Sequence, residues 1–249
     1  MATMDIDMQA APVIGELPDE VLWLAGGQRY CVCAFYTPNY LPQILSLKAS
    51  VEALGINHYF KCYQPRGGWE ANTRIKADFV AHALTRVPDH DVAYLDADSV
   101  VRKPLVLFDQ PTADVTILFH HRKKYKLEIL RIAAGTLLVR NTPGGRAFAA
   151  AWAAEAAKAA PIDVDEDLIY RLMPTLGGVS YAALPRSYYK IFDSGGTVQP
   201  VIEHFQASRG QFKVRKTRRR IRQIGTIVGG VVLALLVWWV ATHLRISWR

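Results

Sequence analysis

Between Tyr30 and Val139, short apolar runs alternate with stretches of helical spacing, and this alternation restricts the chain more than any other feature. Tyr30–Tyr36 reads YCVCAFY, seven residues without a charge, as a strand buried on both faces would. Thr37-Pro38-Asn39 ends it. Tyr40 to Leu54 then places Leu41, Ile44, Leu45, Leu47, Val51 and Leu54 at helical intervals, and Gly55 closes that helix. His58–Tyr63 predicts a second strand, Ile75–Leu84 a second amphipathic helix after the Gly67-Gly68 turn, and Val92–Leu95 a third strand. Val115–Phe119 and Ile132–Val139 read as further strands, Gly145–Ala160 as a helix between Pro143 and Pro161, Leu168–Leu172 as a short helix and Val201–Phe205 as a late strand. Strands separated by helices predict an α/β domain, a mostly parallel sheet with helices on both faces. In such sheets ligands gather at the carboxyl ends of the strands.

The net charge of +8 is unevenly spread. Nine Lys and Arg from Lys213 onward leave 21 basic against 22 acidic residues before them. The basicity therefore belongs to the tail, and nucleic acid is not an expected partner. Cys31, Cys33 and Cys62 form no Cys-x-x-Cys pair and have no neighbouring His ligands, so they read as small buried residues rather than a metal or redox site. Residues 1–25 are acidic, lack a long apolar core and read as a lead-in rather than a signal peptide. Ile224–Leu244 holds 21 residues without Asp, Glu, Lys or Arg, which as a helix extends about 30 Å, the thickness of a bilayer core. It is preceded by KVRKTRRRIR. The excess of basic charge on that side gives a definite expectation: a single-pass membrane protein with its globular part, residues 26–212, on the cytoplasmic side. A polybasic segment, 213–223, would face anionic lipid, the span would cover 224–244, and 245–249 would be a short tail. Gly225-x-x-x-Gly229 offers a face for a homodimer.

VAYLDADSVV puts Asp96 and Asp98 at the carboxyl end of the third strand. Two carboxylates one residue apart there converge on one point. Hard cations such as Mn2+ or Mg2+ prefer oxygen ligands and bridge carboxylates to substrate phosphates, which suits a nucleoside diphosphate leaving group. An acidic turn pairing with Arg102 or Lys103 is the plainer alternative. Arg74 and Lys76 offer a guanidinium fork and a point charge to a diphosphate, or are ordinary charges of an amphipathic helix. Asp165, Glu166 and Asp167 suit the first turn of a helix, where the dipole favours acids.

Four segments in order carry a resemblance: the Thr37 loop after the first strand, Trp69…Asn72…Lys76 at a helix start, the Asp96-Ala97-Asp98 turn, and Ala134-Gly135-Thr136-Leu137-Leu138-Val139. Together, residues 30–210 resemble GT-A-fold (Rossmann-like) glycosyltransferases, particularly the retaining nucleotide-diphospho-sugar transferases related to glycogenin and to bacterial lipopolysaccharide galactosyltransferases. The resemblance implies hexosyl transfer from a nucleotide-diphosphate sugar with Mn2+ or Mg2+. Tyr36 and Thr37 would flank the nucleotide, and Asp96 would contact ribose or metal. Asp98 and His204, in an Ile202-Glu203-His204-Phe205 context followed by Arg209, would hold the metal. The Gly135 backbone would lie beside the sugar, and Asp165, Glu166 and Asp167 would form the catalytic element facing sugar and acceptor. Glu166 replaces an amide usual at that place, and Ala133 stands where a polar residue is usual. With a membrane anchor, the acceptor implied is a membrane-associated glycan, lipid or protein. His120 and His121 are left as surface or acceptor-groove residues. Asp-x-Asp-x-Val-Val is also similar to the first motif of haloacid-dehalogenase-type phosphohydrolases, with Asp96 as nucleophile. That family places the motif after its first strand, whereas here two strands precede it. A catalytically inactive transferase fold serving as a membrane scaffold is the third reading.

Overall fold

The computed structural model describes residues 17–124 and 127–209. In chain order its elements are β1 (Glu20–Trp23), β2 (Tyr30–Tyr36), α1 (Leu41–Glu52), β3 (His58–Cys62), α2 (Trp69–Thr73), α3 (Ile75–Arg86), β4 (Asp91–Leu95), β5 (Ser99–Val101), α4 (Val106–Asp109), β6 (Val115–Lys124), β7 (Leu127–Val139), α5 (Pro143–Lys158), α6 (Asp165–Leu172), β8 (Tyr181–Ala183), β9 (Lys190–Ile191) and β10 (Ile202–His204).

Seven strands form the main sheet in the order β1-β3-β2-β4-β7-β6-β8. The side chains of β2 alternate between two cores, as a period of two requires. Cys31 and Cys33 face a cluster with Phe79 and Ala83 of α3, Phe148 and Trp152 of α5, and Leu168 and Ile169 of α6. Tyr30, Val32, Ala34 and Tyr36 face the other cluster with Ile44, Leu47 and Val51 of α1. Helices thus cover both faces, and the uncharged run from Tyr30 to Tyr36 follows from burial on each side.

The sheet is mixed rather than mostly parallel. β2 is parallel to β3 and β4, and β6 to β8, but β7 runs antiparallel to both β4 and β6, and β1 antiparallel to β3. The cause is that β6 and β7 are the arms of one long hairpin, not strands joined by a crossover helix. β1 falls within the stretch that reads as a lead-in, yet Glu20–Trp23 pairs with Lys61–His58. The late strand β10 belongs to a second, three-stranded sheet, β5-β10-β9.

The expectation of a membrane-spanning protein with a cytoplasmic domain is overturned: among the described residues no helix is long and apolar enough to cross a membrane. The longest described helix, α5, has 16 residues, about 24 Å at 1.5 Å per residue, short of a bilayer core. The segments 213–223, 224–244 and 245–249 lie outside the described residues. The expected membrane, lipid and dimer partners rest on those segments alone.

Candidate functional site

β4 ends at Leu95, and a tight turn closed by the Ser99 amide donating to the Asp96 carbonyl (3.0 Å) carries the chain into β5. This turn, rather than a continued strand, brings Asp96 and Asp98 together. β5 pairs antiparallel with β10 so that Ser99 lies opposite His204. One oxygen or nitrogen from each of Asp96, Asp98 and His204 lies within 4.8 Å of the others. Two carboxylates and an imidazole suit a hard or borderline divalent cation, so these residues fit the ion that the sequence implies. His204 is 2% exposed, with Ser99 Oγ 3.0 Å from Nδ1 and Thr136 Oγ1 2.8 Å from Nε2. Burial pushes its pKa down to about 4, with Asp96 pulling upward and Lys76 downward. The ring is therefore neutral near pH 7 and has a lone pair to offer, once one hydroxyl turns to donate elsewhere.

The backbone of β7 is irregular here. Its register against β6 jumps from Ile117↔Leu137 to Leu118↔Ala133, so Ala134, Gly135 and Thr136 have no counterpart in β6. A bulge of this kind re-aims groups beside a site. The Ala134 carbonyl accepts from Lys76 Nζ (3.0 Å), its amide donates to Glu166 Oε1 (3.3 Å), and the Gly135 carbonyl accepts from the Asp96 amide (2.8 Å). Gly135 is required by space: a Cβ there would stand 2.6 Å from Asp96 Oδ2 and 2.7 Å from Tyr189 Cε2.

Lys76, in the first turn of α3, is buried with its ammonium 3.0 Å from Asp96 Oδ1 and 2.5 Å from Asp165 Oδ2. Burial alone would lower its pKa, but the two carboxylates outweigh it and raise it. Burial also raises the Asp165 carboxyl while Lys76 pulls it down. Because two acids share one ammonium, the proton stays on Lys76 and the cluster is ionic. The Tyr94 hydroxyl donates to the same Asp96 oxygen (2.9 Å), which fixes that carboxylate with Oδ2 beside Gly135. Asp165, Glu166 and Asp167 occupy the first turn of α6, whose N-cap is Val164 without a side-chain cap bond. Burial, then the neighbouring Asp165 charge, pushes the Glu166 pKa up to about 7. Asp167 pairs with Arg131 (3.1 Å).

The structure brings together Asp96, Asp98, His204, Lys76, Gly135, Asp165 and Glu166. Tyr36 ends β2, the parallel neighbour of β4, and Thr37 follows it, so their backbone lies at the same sheet edge. The Thr37 hydroxyl donates to Asn39 Oδ1 (2.7 Å), and the buried Tyr36 hydroxyl reaches the Pro18 carbonyl (3.4 Å). Arg74 is directed elsewhere: its guanidinium donates to the carbonyls of Ala160 (2.9 Å) and Asp163 (2.8 Å), clamping the loop that leads into α6. Sequence reasoning missed Ser99, Thr136 and Tyr189. Thr136 and Ser99 were detectable as polar residues at core-facing strand positions. Tyr189, in the short 3-10 turn Arg186–Tyr189, carries no such signal.

The α/β fold that carries this acid-and-imidazole cluster has counterparts among solved structures. The fold is similar to that of a glycosyltransferase involved in the glycosylation of the major capsid of PBCV-1, at 14% identity and a TM-score of 0.56, over 73% of this chain and 96% of that one. The glycosyltransferase GlyE of Streptococcus pneumoniae TIGR4 also matches, at 16% identity and a TM-score of 0.48, over 72% of this chain and 55% of its own. No protein-family model matches the chain, and no curated protein matches it by sequence. This chain thus shares its fold with that capsid-modifying glycosyltransferase.

Proposed function

We propose that this chain is a divalent-metal-dependent glycosyltransferase of the GT-A type, moving a hexosyl group from a nucleotide-diphosphate sugar to an acceptor hydroxyl. The observation that supports this most is the meeting of Asp96, Asp98 and His204 within 4.8 Å on the ligand-binding edge of a fold shared with a glycosyltransferase.

In this reading Asp96, Asp98 and His204 hold the Mn2+ or Mg2+. When bound, the cation supplies positive charge against the charge that accumulates on the departing nucleoside diphosphate. The chain's own residues do the rest. Lys76 and Tyr94 hold Asp96 by one oxygen and leave the other for the ion. Thr37 and Tyr36 border the nucleotide. Glu166, with its pKa near 7, takes or returns a proton near neutrality. Asp167 is held by Arg131 at the acceptor side. Retention at the anomeric carbon is the outcome the family resemblance implies.

The test is release of nucleoside diphosphate from a panel of nucleotide hexoses with Mn2+. Wild type should release it with at least one donor, and Asp98→Ala should lower the rate by about 100-fold or more, the upper range for disturbing a metal's surroundings. No Mn2+-dependent release or nucleotide binding with any donor would remove the assignment. Turnover of an aryl phosphate, abolished by Asp96→Asn, would transfer the chain to the phosphohydrolases.

A further inference from the structure

Tyr189 lies outside every segment that carries the family resemblance, yet its side chain joins the two halves of the site. Its ring lies over the His204 imidazole, with centroids 4.2 Å apart and planes 30° apart. Its edge packs on Gly135: the position of an added Cβ there is 2.7 Å from Tyr189 Cε2, 3.2 Å from its Oη and 2.6 Å from Asp96 Oδ2. The phenol oxygen therefore stands beside the Asp96 carboxylate, over the residue whose missing side chain makes the room. Among the described residues the Tyr189 hydroxyl makes no hydrogen bond. A phenol hydroxyl has both a donor and an acceptor to offer.

The surroundings select the ligand. Asp96 and Asp165 set two carboxylates against the single Lys76 ammonium, which disfavours a phosphate that arrives without a cation, so the pyrophosphate belongs at the Asp96–Asp98–His204 corner. A polyol is the opposite case, because its hydroxyls donate to carboxylates and pair with a phenol. The Tyr189 face that lies over His204 is closed to a stacking nucleobase. We infer that Tyr189 is a donor-specificity residue, its hydroxyl hydrogen-bonding a hydroxyl of the donor sugar while its ring steadies the His204 imidazole. This rests on the donor-site reading above. It adds a side chain that reads the sugar itself, not the nucleotide.

The test separates the two ideas. Mn2+ alone, then Mn2+ with whichever of UDP, GDP or ADP the wild type binds most tightly, and then Mn2+ with the corresponding nucleotide hexoses, are titrated into wild type and Tyr189→Phe. Phenylalanine keeps the ring and removes only the oxygen. The expected result is unchanged affinity for Mn2+ and for the nucleoside diphosphate. Affinity for the preferred nucleotide hexose should fall by about 3- to 10-fold, the worth of one uncharged hydrogen bond, and discrimination between epimeric hexoses should narrow. Tyr189→Leu, which removes the ring from His204, should also weaken Mn2+ binding. Equal losses for diphosphate and sugar nucleotide, or no loss for either, would overturn the role of Tyr189 with the donor site intact. If wild type binds no nucleotide in a Mn2+-dependent way, the donor-site reading fails first and takes this inference with it.

Discussion

Gly135 shows how much of the site depends on what one residue lacks. A methyl group there would meet both the Asp96 carboxylate and the Tyr189 ring well inside contact distance. Relieving that costs about 1–3 kcal/mol and moves the Asp96 carboxylate and the Tyr189 phenol. Gly135→Ala should stay folded with a lowered thermal midpoint and lose about 10-fold or more in Mn2+-dependent nucleotide binding; binding equal to wild type by calorimetry would refute the packing argument. Glu166 gives a prediction with a sign. Its folded pKa is raised from 4.5 to about 7 by burial. The fold therefore favours its protonated form. That contribution is full below the ordinary value of 4.5 and is lost as pH rises through about 7. Compared with Glu166→Gln, whose amide still accepts from Ala134, wild type should lose stability between pH 5 and 8. A wild-type-minus-variant difference in melting temperature that stays flat over this window would count against it.

At the scale of elements, α3, β4, β7 and α6 are tied together by one ammonium. Lys76 serves Asp96, Asp165 and the Ala134 carbonyl at once, and breaking a buried ion pair from one side costs about 3–5 kcal/mol because the stranded charges stay buried. Lys76→Met should be destabilised by about that amount in urea unfolding, and Lys76→Met/Asp165→Leu should recover part of the loss. A single variant within 1 kcal/mol of wild type would show the cluster to be ornamental. Asp114 is a second tie: its carboxylate accepts from Thr142 Oγ1 (2.5 Å), Ser180 Oγ (2.7 Å) and the Ser180 amide (3.0 Å), joining the start of β6 to α5 and β8. Asp114→Ala should cost about 1–3 kcal/mol by denaturant midpoint and leave Mn2+ binding unchanged.

These elements also show what a sequence discloses. β2, α1, β3, α3 and β4 were legible because each is an element of at least five residues built on an apolar pattern, and Asp96–Asp98 was legible because it follows such an element. β1, β5, β8 and β9 have only two to four residues each and offer too few positions for any period. Nor does a side-chain pattern reveal strand direction, so the antiparallel placement of β7 could not be read. The bulge at Ala134–Thr136 depends on register between strands. It explains why Ala-Gly-Thr sits where it does, but no periodicity announces it. Arg74 and Lys76 look alike as helix-start charges. Only packing separates the one that clamps a loop from the one buried between acids.

Across the whole molecule, distant segments meet at the Asp96–Asp98–His204 corner. Ser99 and His204 are 105 residues apart in sequence and hydrogen-bonded in the fold, and the small sheet β5-β10-β9 exists at that junction. The α/β class, the carboxyl-edge location and the acid-acid-imidazole set follow from sequence together with family resemblance, whereas the membrane placement fails among the described residues. The central claim is that these three side chains take one divalent cation together with a nucleoside diphosphate. The most direct measurement is a Mn2+ titration followed by electron paramagnetic resonance, with and without UDP, GDP or ADP, on wild type, Asp98→Ala and His204→Ala. The account predicts one bound Mn2+ per chain, tightened by a nucleoside diphosphate and lost or greatly weakened in both variants. A wild type that binds no Mn2+ under any of these conditions, or variants that bind it as well as wild type, would contradict it.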